Sequence, residues 1–532
     1  MAFDPAKNRR SAAGGAQRMG PAKPDDRVSV TVCVRRRNGA ALPDPLQLFA
    51  KPPRERTFLS RDKFTATYGA APEDLAKVVS FGASHGLVEK ERCIARRMVV
   101  LSGTVESVSA AFDLPLYEYE CPNGERYRGH DDRDSIHLPD DLTDVVEGVF
   151  GLDTRKMPRA RAAVGDLSAQ SPAPLTPPWA ARNYNFPATA TGGAGQTIGL
   201  LEFGNSYNAG DIRQFFAGLG LPAPALVSVN VDGATPSSDS PDSEVTLDIA
   251  VAGSIAPGAK IVVYFAPSTE PGWVQAVGAA VHDTANAPSV ISISWGGPEL
   301  QSNGDFAWTP AAMQKISALF QEAAHLGITV LAATGDQGSS CGMPDHKAHV
   351  WYPASDPWVT ACGGTMLQDG PPDGLQDGGE FTEVAWKDAG GATGGGISAI
   401  FPVPAWQETA GVPVSANPSA HSGRGTPDVA GYAAGYTIVF NGAPSPAPGT
   451  SGVAPLWAGL VALANETLGH RLGFLNPDLY GGINAGGGLR GVTGGDNGFD
   501  ETAPFYQAER VWNACTGLGS PDGMKIIAAL SG

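Results

Sequence analysis

The sequence contains no apolar run of the roughly eighteen residues that a membrane-spanning helix needs, so no segment is expected to enter a membrane. No two of the six cysteines, at positions 33, 93, 121, 341, 362 and 515, have CxxC spacing, which argues against a zinc knuckle or a thioredoxin-like site. Only Cys341 and Cys362 lie close enough in sequence to suggest a disulfide, and the sequence leaves that pairing open. Residues 1–26 lack the apolar core of a signal peptide, and this polar stretch is predicted to be a disordered tail.

Positive charge is scarce beyond the N-terminal third. Residues 1–165 contain 26 Lys and Arg and 23 Asp and Glu, a net +3, whereas the remaining residues contain 11 and 31, a net −20. So acidic a region is not expected to bind nucleic acid, and its self-repulsion decreases as carboxylates are protonated. The charge pattern therefore predicts work at low pH, and an attraction between the two parts that weakens on acidification.

A chain of 532 residues with 42% apolar content predicts two or three globular domains. Strand-like runs at 27–36, 97–102 and 114–120, with two helices within 60–85, indicate a compact α+β domain at residues 27–156. Residues 157–178 are rich in Ala, Pro, Ser and Arg without periodicity, and are predicted to form an exposed, cleavable linker. Residues 179–532 then form the second domain.

The second domain has the pattern of a parallel α/β sheet. Short runs rich in Ile and Val, at 197–203, 260–265, 289–294 and 328–333, alternate with helix-forming segments such as 311–327. Active groups in such folds gather at the carboxyl ends of the strands. Glycine-rich segments such as 390–396 predict loops that approach one another, or a substrate, closely.

Ser451 lies where a Pro-, Ser- and Gly-rich loop runs into a helical segment, 456–468. The unpaired N–H groups at a helix start stabilise an alkoxide or a neighbouring oxyanion, which makes Ser451 a candidate nucleophile. Taken alone, Thr450 or Ser451 is more simply an ordinary N-cap.

Three carboxylates are candidates to act with this serine. Glu244 and Asp248, four residues apart, share a face of either a helix or a strand, with Cβ atoms about 5 to 6 Å apart on a helix and about 13 Å apart on a strand. We predict a helix, because only there could both groups form a coupled chain, although the apolar alternation favours a strand. Asp336 follows the predicted strand 328–333, where a turn-stabilising role is the alternative.

Together these motifs resemble the sedolisin family of serine-carboxyl peptidases, and its kumamolisin-type members most closely. The matching segments are Gly449-Thr450-Ser451-Gly452-Val453-Ala454-Pro455, Glu244-x-x-x-Asp248, Ser292-Ile293-Ser294-Trp295-Gly296-Gly297 and Gly335-Asp336-Gln337-Gly338-Ser339. The segments Leu101-Ser102-Gly103-Thr104-Val105 and Gly148-Val149-Phe150-Gly151-Leu152-Asp153 resemble the family's activation prodomain.

The resemblance implies a subtilisin-like α/β fold after the prodomain and an acid-acting endopeptidase made as a zymogen. It implies Ser451 as nucleophile, Glu244 as base, Asp248 as the group that holds Glu244, and Asp336 as oxyanion donor. It also implies that Ser294, Trp295, Gly296 and Gly297 bind an extended substrate peptide. Trp351 stands where an acidic specificity residue is expected, which predicts a weaker preference for basic side chains and a stronger one for apolar or aromatic ones.

The family's calcium site is expected to be lost, and no cofactor or metal is expected. The matching positions read Gly491-Val492-Thr493 and Glu509-Arg510-Val511-Trp512-Asn513, without the two expected carboxylates. Calcium takes six to eight oxygen ligands, usually several of them anionic. Asp496, Asp500 and Glu501 would be a poor substitute.

Three alternatives remain open at this point. One is a subtilisin-type hydrolase with His349 as base, although no His-Gly-Thr-x-Val segment is present. The second is tripeptidyl peptidase action, and the third is a non-catalytic peptide-binding protein with the same fold. The expected partners are peptide substrates and the chain's own prodomain as inhibitor, for a monomer without nucleic-acid or membrane partners. By resemblance the protein is expected to be secreted, by a route that the sequence does not identify.

Overall fold

The structure is a computed structural model that describes residues 3–131, 133–157, 175–187, 192–304, 307–368, 381–500, 502–509 and 512–531. Most of the predicted linker, residues 158–174, lies outside the described residues. In the described part of the chain, no helix is both long and apolar enough to cross a bilayer.

Two antiparallel sheets form the N-terminal domain. The strands are β1 (Gln17–Pro21), β2 (Arg27–Val34), β3 (Val88–Cys93), β4 (Met98–Thr104), β5 (Tyr117–Glu120), β6 (Arg126–Gly129) and β7 (Val146–Phe150), ordered β3-β4-β2-β7 and β1-β5-β6. The helices are α1 (Leu46–Phe49), α2 (Arg61–Tyr68), α3 (Pro72–Ser84), α4 (Val105–Phe112) and α5 (Asp140–Thr143). The alternation in β2 turns Val30 and Val32 toward the domain's own core, while Cys33 faces the second domain. From Val30 to Val34, both faces of this strand are therefore buried.

The prediction of a disordered tail at residues 1–26 is wrong for its described part. Residues Pro5–Asn8 form a 3-10 helix, and β1 pairs with β5. Before β1, single contacts anchor the chain: Asn8 Oδ1 accepts the N–H of Val149 at 3.1 Å, and the Phe3 side chain is buried in the N-terminal core. Such isolated anchors leave no periodic pattern in the sequence.

An eight-stranded sheet forms the centre of the second domain, and the four apolar runs predicted as strands lie in it. Its strands are β8 (Thr197–Glu202), β9 (Ala225–Asn230), β10 (Lys260–Phe265), β11 (Val290–Ile293), β13 (Thr329–Ala333), β15 (Thr360–Leu367), β16 (Glu383–Ala385) and β21 (Val429–Tyr432). The order is β16-β15-β13-β11-β8-β10-β9, with β21 parallel to β15 and only β16 antiparallel to its neighbour among these pairs. Paired short strands outside this sheet are β12 (Gly297–Pro298), β14 (Trp351–Tyr352), β17 (Lys387–Asp388), β18 (Gly391–Ala392), β19 (Gly396–Ile397), β20 (Gly425–Thr426), β22 (Tyr436–Phe440), β23 (Ala443–Ala447), β24 (Leu489–Arg490) and β25 (Ser520–Pro521).

Helices cover both faces of the central sheet. They are α6 (Pro177–Asn183), α7 (Ala209–Gly218), α8 (Ser243–Ile255), α9 (Glu270–His282), α10 (Pro310–His325), α11 (Val453–Leu468), α12 (Asn476–Asp478) and α13 (Gly523–Leu530). Side chains of α8 and α11 share one apolar core with the sheet, and side chains of α9 and α10 share the other. This layered parallel sheet is the predicted subtilisin-like architecture.

The N-terminal domain docks on α9 and α10 through buried charges. Glu322 of α10 accepts from Arg36 at 2.7 Å and lies 3.3 Å from Arg97, and His282 Nε2 is 2.7 Å from its other oxygen. Further along the interface, Arg56 donates to both oxygens of Asp478, at 2.7 and 2.6 Å. The acidic second domain thus meets basic side chains of the first.

Candidate active site

Ser451 lies in a 3-10 turn, Thr450–Gly452, that leads directly into α11. Its Oγ is buried and has no hydrogen-bond partner among the described residues. Neither Thr450 nor Ser451 caps the helix, because no side chain bonds to the N–H groups of its first turn. The predicted position at a helix start is confirmed, and the N-cap alternative is wrong.

The two spaced carboxylates lie on a helix, as predicted. Asp242 caps α8 by accepting the N–H of Glu244 at 3.0 Å, and α8 packs against both the Thr450–Gly452 turn and α11. Every residue from Glu244 to Ile255 is buried. A helix that is buried on every side has apolar residues on every face. Its sequence therefore lacks the helical apolar period and resembles that of a buried strand.

Asp248 is tied to the backbone of the candidate nucleophile through Ser294. The Oγ of Ser294, just after β11, lies 2.8 and 2.9 Å from the two carboxylate oxygens of Asp248 and 3.3 Å from the carbonyl oxygen of Ser451. Burial raises the pKa of Asp248 to about 8. In acid Asp248 is therefore a neutral group that can donate as well as accept.

Sequence reasoning missed Glu202, the last residue of β8. Its carboxylate is fully buried and accepts the indole N–H of Trp295 at 2.7 Å. Burial, followed by the nearby charge of Asp248, raises the pKa of Glu202 well above its ordinary value. The sequence contained one signal for Glu202: it is a single acidic residue at the end of an apolar strand. The carboxyl ends of the parallel strands β8, β11 and β13 meet at one edge of the sheet, where active groups gather.

Asp336 reaches the nucleophile turn from the loop after β13. Its Oδ1 accepts both the backbone N–H of Thr450, at 2.8 Å, and its hydroxyl, at 2.9 Å. Its buried Oδ2 has no partner among the described residues, and a Cβ on Gly449 would come within 2.8 Å of it. Burial raises the pKa of Asp336 to about 6. Gly449, at φ 140°, thus leaves room for one free carboxyl oxygen at the start of the turn that carries Ser451.

The glycine-rich segment 390–396 fixes the loop that carries Asp336. A Cβ on Gly391 would lie 2.5 Å from the carbonyl oxygen of Asp336, and one on Gly394 would lie 2.0 Å from that of Thr334. Ala392 N–H donates to the Asp336 carbonyl at 2.9 Å, so the two backbones are hydrogen-bonded in close contact. The predicted close approach of loops is confirmed here.

The residues expected to bind substrate divide into two groups. The side chains of Ser294 and Trp295 bond to Asp248 and Glu202, which leaves only their backbone for a substrate. Gly297 pairs with Tyr352 across β12 and β14, and this places Gly296 and Trp351 side by side.

His349 is engaged away from the nucleophile. Its Nε2 lies 2.8 Å from Asp345 Oδ1, and the two residues line a cavity of about 360 Å³ with Glu299 and His421. No hydrogen bond within the described ranges links His349 to the Thr450–Gly452 turn, whereas α8, which carries Glu244, packs against that turn.

At the described positions matched to the calcium site, the polar side chains are bonded within the fold. Asn513 Oδ1 accepts the N–H groups of Cys515 and Thr516 at 3.0 and 2.9 Å, and its Nδ2 donates to the carbonyl of Glu509 at 3.1 Å. Asp496 pairs with Lys387 at 2.8 Å, and Asp500 accepts from Thr502. Gly491 and Val492 contribute no side-chain oxygen, and Glu501, Arg510 and Val511 lie outside the described residues.

Cys341 and Cys362 are both free thiols.

Comparison with known proteins places both domains. The family model "Pro-kumamolisin, activation domain" matches residues 14–155 and the "Subtilase family" model matches residues 234–475. Kumamolisin from Bacillus sp. (strain MN-32) is 44% identical over 96% of this chain and 93% of its own length. A tripeptidyl-peptidase of Aspergillus fumigatus is 30% identical over 97% of this chain and 95% of its own. The structure of Pseudomonas sedolisin, a serine-carboxyl proteinase complexed with pseudo-iodotyrostatin, superposes with a TM-score of 0.57 at 28% identity, covering 67% of this chain and 98% of that one.

Proposed function

Because the chain belongs to the sedolisin family of serine-carboxyl peptidases, it is a serine-type peptidase with an activation prodomain, and we propose that Ser451 is its nucleophile. In this proposal, carboxyl groups rather than a histidine assist Ser451. The observation that carries this proposal is the chemistry around the nucleophile turn. The described side chains bonded to Ser294, Trp295 and Thr450 there are the carboxyl groups of Asp248, Glu202 and Asp336.

Glu244 takes the proton of Ser451 as the hydroxyl attacks the peptide carbonyl, and returns it to the leaving amine. An ordinary carboxyl group has a pKa near 4, so a carboxylate base persists in acid, where an imidazole is charged and cannot accept a proton. Asp248, one helical turn along α8, holds Glu244 in place as a positioning residue. Glu202 extends the same buried chain of carboxyl groups, and its proton shifts with those of its neighbours.

Asp336 donates a proton to the oxyanion that forms on the substrate carbonyl. Two donors already occupy its Oδ1, so the proton resides on Oδ2, next to Gly449. Such a donor acts only in its neutral form, below the pKa of about 6. Asp336 therefore needs an acidic pH to stay protonated, whereas the carboxylate of Glu244 can still act as a base at such a pH.

Replacement of Asp336 tests this division of roles. Asp336→Asn keeps both bonds from Thr450 and puts an N–H₂ donor at the Oδ2 position, so activity in acid should stay within about tenfold of wild type. The upper limb of the kcat/KM profile should move from about pH 6 toward the pKa of about 8 of Asp248, because an amide does not lose its proton. Asp336→Ala should lose about 10²- to 10³-fold at every pH. An Asn variant as inactive as the Ala variant, or an unmoved upper limb, would contradict the role of Asp336.

The same acid requirement suits activation of the zymogen. We propose that the prodomain, anchored through Glu322 and Asp478, inhibits the monomeric enzyme until acid loosens it and residues 157–178 are cut by the enzyme itself. In this proposal the enzyme acts outside the cytoplasm, in an acidic environment. Endopeptidase action is proposed first, and tripeptidyl release, the activity in the name of the 30% identical relative, is separated from it by the sizes of the products.

We also propose that stability and activity need no calcium, because Asn513 closes its loop with its own amide. A chelator should leave the thermal midpoint and kcat/KM of the activated enzyme unchanged. A site filled at about 100 times its Kd would contribute about 2.7 kcal/mol, or several degrees in Tm. A fall of that size on addition of EDTA, reversed by calcium, would refute the proposal.

A further inference from the structure

Two glycine-bearing segments reach the nucleophile turn from different elements, and we call the space between them the slot. Gly335, next to Asp336, donates its N–H to Thr450 Oγ1 at 3.1 Å. On the other side, Gly296 follows Ser294, whose Oγ lies 3.3 Å from the Ser451 carbonyl oxygen. A substrate carbonyl held between Ser451 and Asp336 therefore directs the side chain on its amino side toward the space between these segments.

The indole of Trp351 lies across that space. A Cβ on Gly335 would meet Cε2 and Cδ2 of the ring at 2.7 and 2.8 Å, and a Cβ on Gly296 would meet Cε3 at 3.0 Å. One ring therefore touches both glycines, and it is only 4% exposed. Cys341 packs with it in the same small apolar cluster.

Among the described residues, the acidic side chain nearest in sequence to Gly296 and Gly297 is already engaged and is not free to pair with a basic side chain. Glu299, two residues beyond Gly297, directs its oxygens to Ser398 Oγ at 2.7 Å and Ala399 N–H at 3.1 Å, so both are used within the fold. The ring of Trp351 is apolar and offers no partner for a cation. Burying a Lys or Arg side chain against it therefore costs free energy.

We propose that Trp351 closes this slot and restricts the residue on the amino side of the cleaved bond to small side chains such as Gly, Ala and Ser. The inference rests on the proposed function, since it takes Ser451 and Asp336 as the reacting groups. It departs from the expectation from sequence, which favoured apolar or aromatic side chains. The size of the pocket beside the nucleophile sets such preferences in serine peptidases.

The test uses the activated enzyme and quenched peptides that differ only at this residue: Gly, Ala, Val, Leu, Phe or Arg. Wild type should cleave the Ala peptide about 10- to 200-fold faster than the Phe and Arg peptides in kcat/KM. Trp351→Ala, and Trp351→Leu if the first variant folds poorly, should raise the Leu and Phe peptides at least to the level of Ala. Trp351→Phe, which retains an aromatic floor, is the matched control and should keep the wild-type order.

Wild type that cleaves the Phe or Arg peptide as fast as the Ala peptide would overturn the proposal even if no variant folds. An unchanged order in Trp351→Ala would overturn it as well. Failure of the underlying function has a different signature: no peptide of the series would be cleaved in a Ser451-dependent manner.

Discussion

Ser451→Ala is expected to abolish peptide hydrolysis, with kcat lower by about 10⁶-fold, the scale of losing the nucleophile of a serine peptidase. The remaining groups can still bind a peptide, but no side chain is left to form the acyl-enzyme. At about pH 4 the full-length variant should also keep residues 157–178 uncut, while wild type gains a new N-terminus there. N-terminal sequencing and peptide hydrolysis after processing by added wild type measure the two effects.

Ser292→Ala is the matched control for this variant. Ser292 is another fully buried serine whose Oγ has no partner among the described residues, and it lies within β11. It should process itself and hydrolyse peptides like wild type. Self-processing by Ser451→Ala at the wild-type rate would contradict the assignment of the nucleophile.

Glu244→Gln is expected to lower kcat by about 10²- to 10⁴-fold with little change in KM, because the amide keeps the shape of the side chain but cannot accept the serine proton. Asp248→Asn should lose less, since an amide still bonds to Ser294 and only the positioning of Glu244 suffers. Steady-state kinetics on peptides at pH 3 to 7 separate the two variants.

Glu466→Gln provides a control for removal of a carboxylate from the same helical layer. Glu466 lies at the far end of α11 and accepts the backbone N–H of Gly193. Its kinetics should match those of wild type. Equal losses in Glu244→Gln and Asp248→Asn would show that neither carboxylate has a distinct role as base.

The local sequence pattern was sufficient to predict the strands and the turn that carry the candidate active site. The apolar runs located β8, β10, β11 and β13 to within one or two residues, and the loop-to-helix transition located the turn of Ser451. Helix α8 was harder, because burial on every side removes the periodicity that separates a helix from a strand. The requirement that Glu244 and Asp248 act together decided it correctly.

Contacts between distant segments could not be read from the sequence. Ser294 and Asp248 are 46 residues apart, and Trp295 and Glu202 are 93 apart, so only the crossing order of the parallel strands brings them together. The same holds for Trp351, whose ring meets two glycines from separate loops. Spacing in the chain contains no information on such pairs.

The interface between the domains refines the expectation from overall charge. Burial alone would raise the pKa of Glu322, but the charges of Arg97, His282 and Arg36 outweigh it and hold this pKa well below the ordinary range. At Asp478, burial dominates over Arg56 and raises the pKa. Acidification therefore neutralises Asp478 before Glu322, and the attraction between the domains does not weaken evenly.

The pH dependence of covalent modification of Ser451 tests the central claim most directly. Activated wild type is treated with a fluorophosphonate between pH 3 and 8, and the rate of labelling at Ser451 is followed by mass spectrometry. A serine served by carboxyl groups should react fastest in acid, with a rate that falls as the pH rises through about 6, where Asp336 loses its proton. A rate that instead rises toward pH 8, with an inflection near the ordinary histidine pKa of about 6.5, would contradict the account.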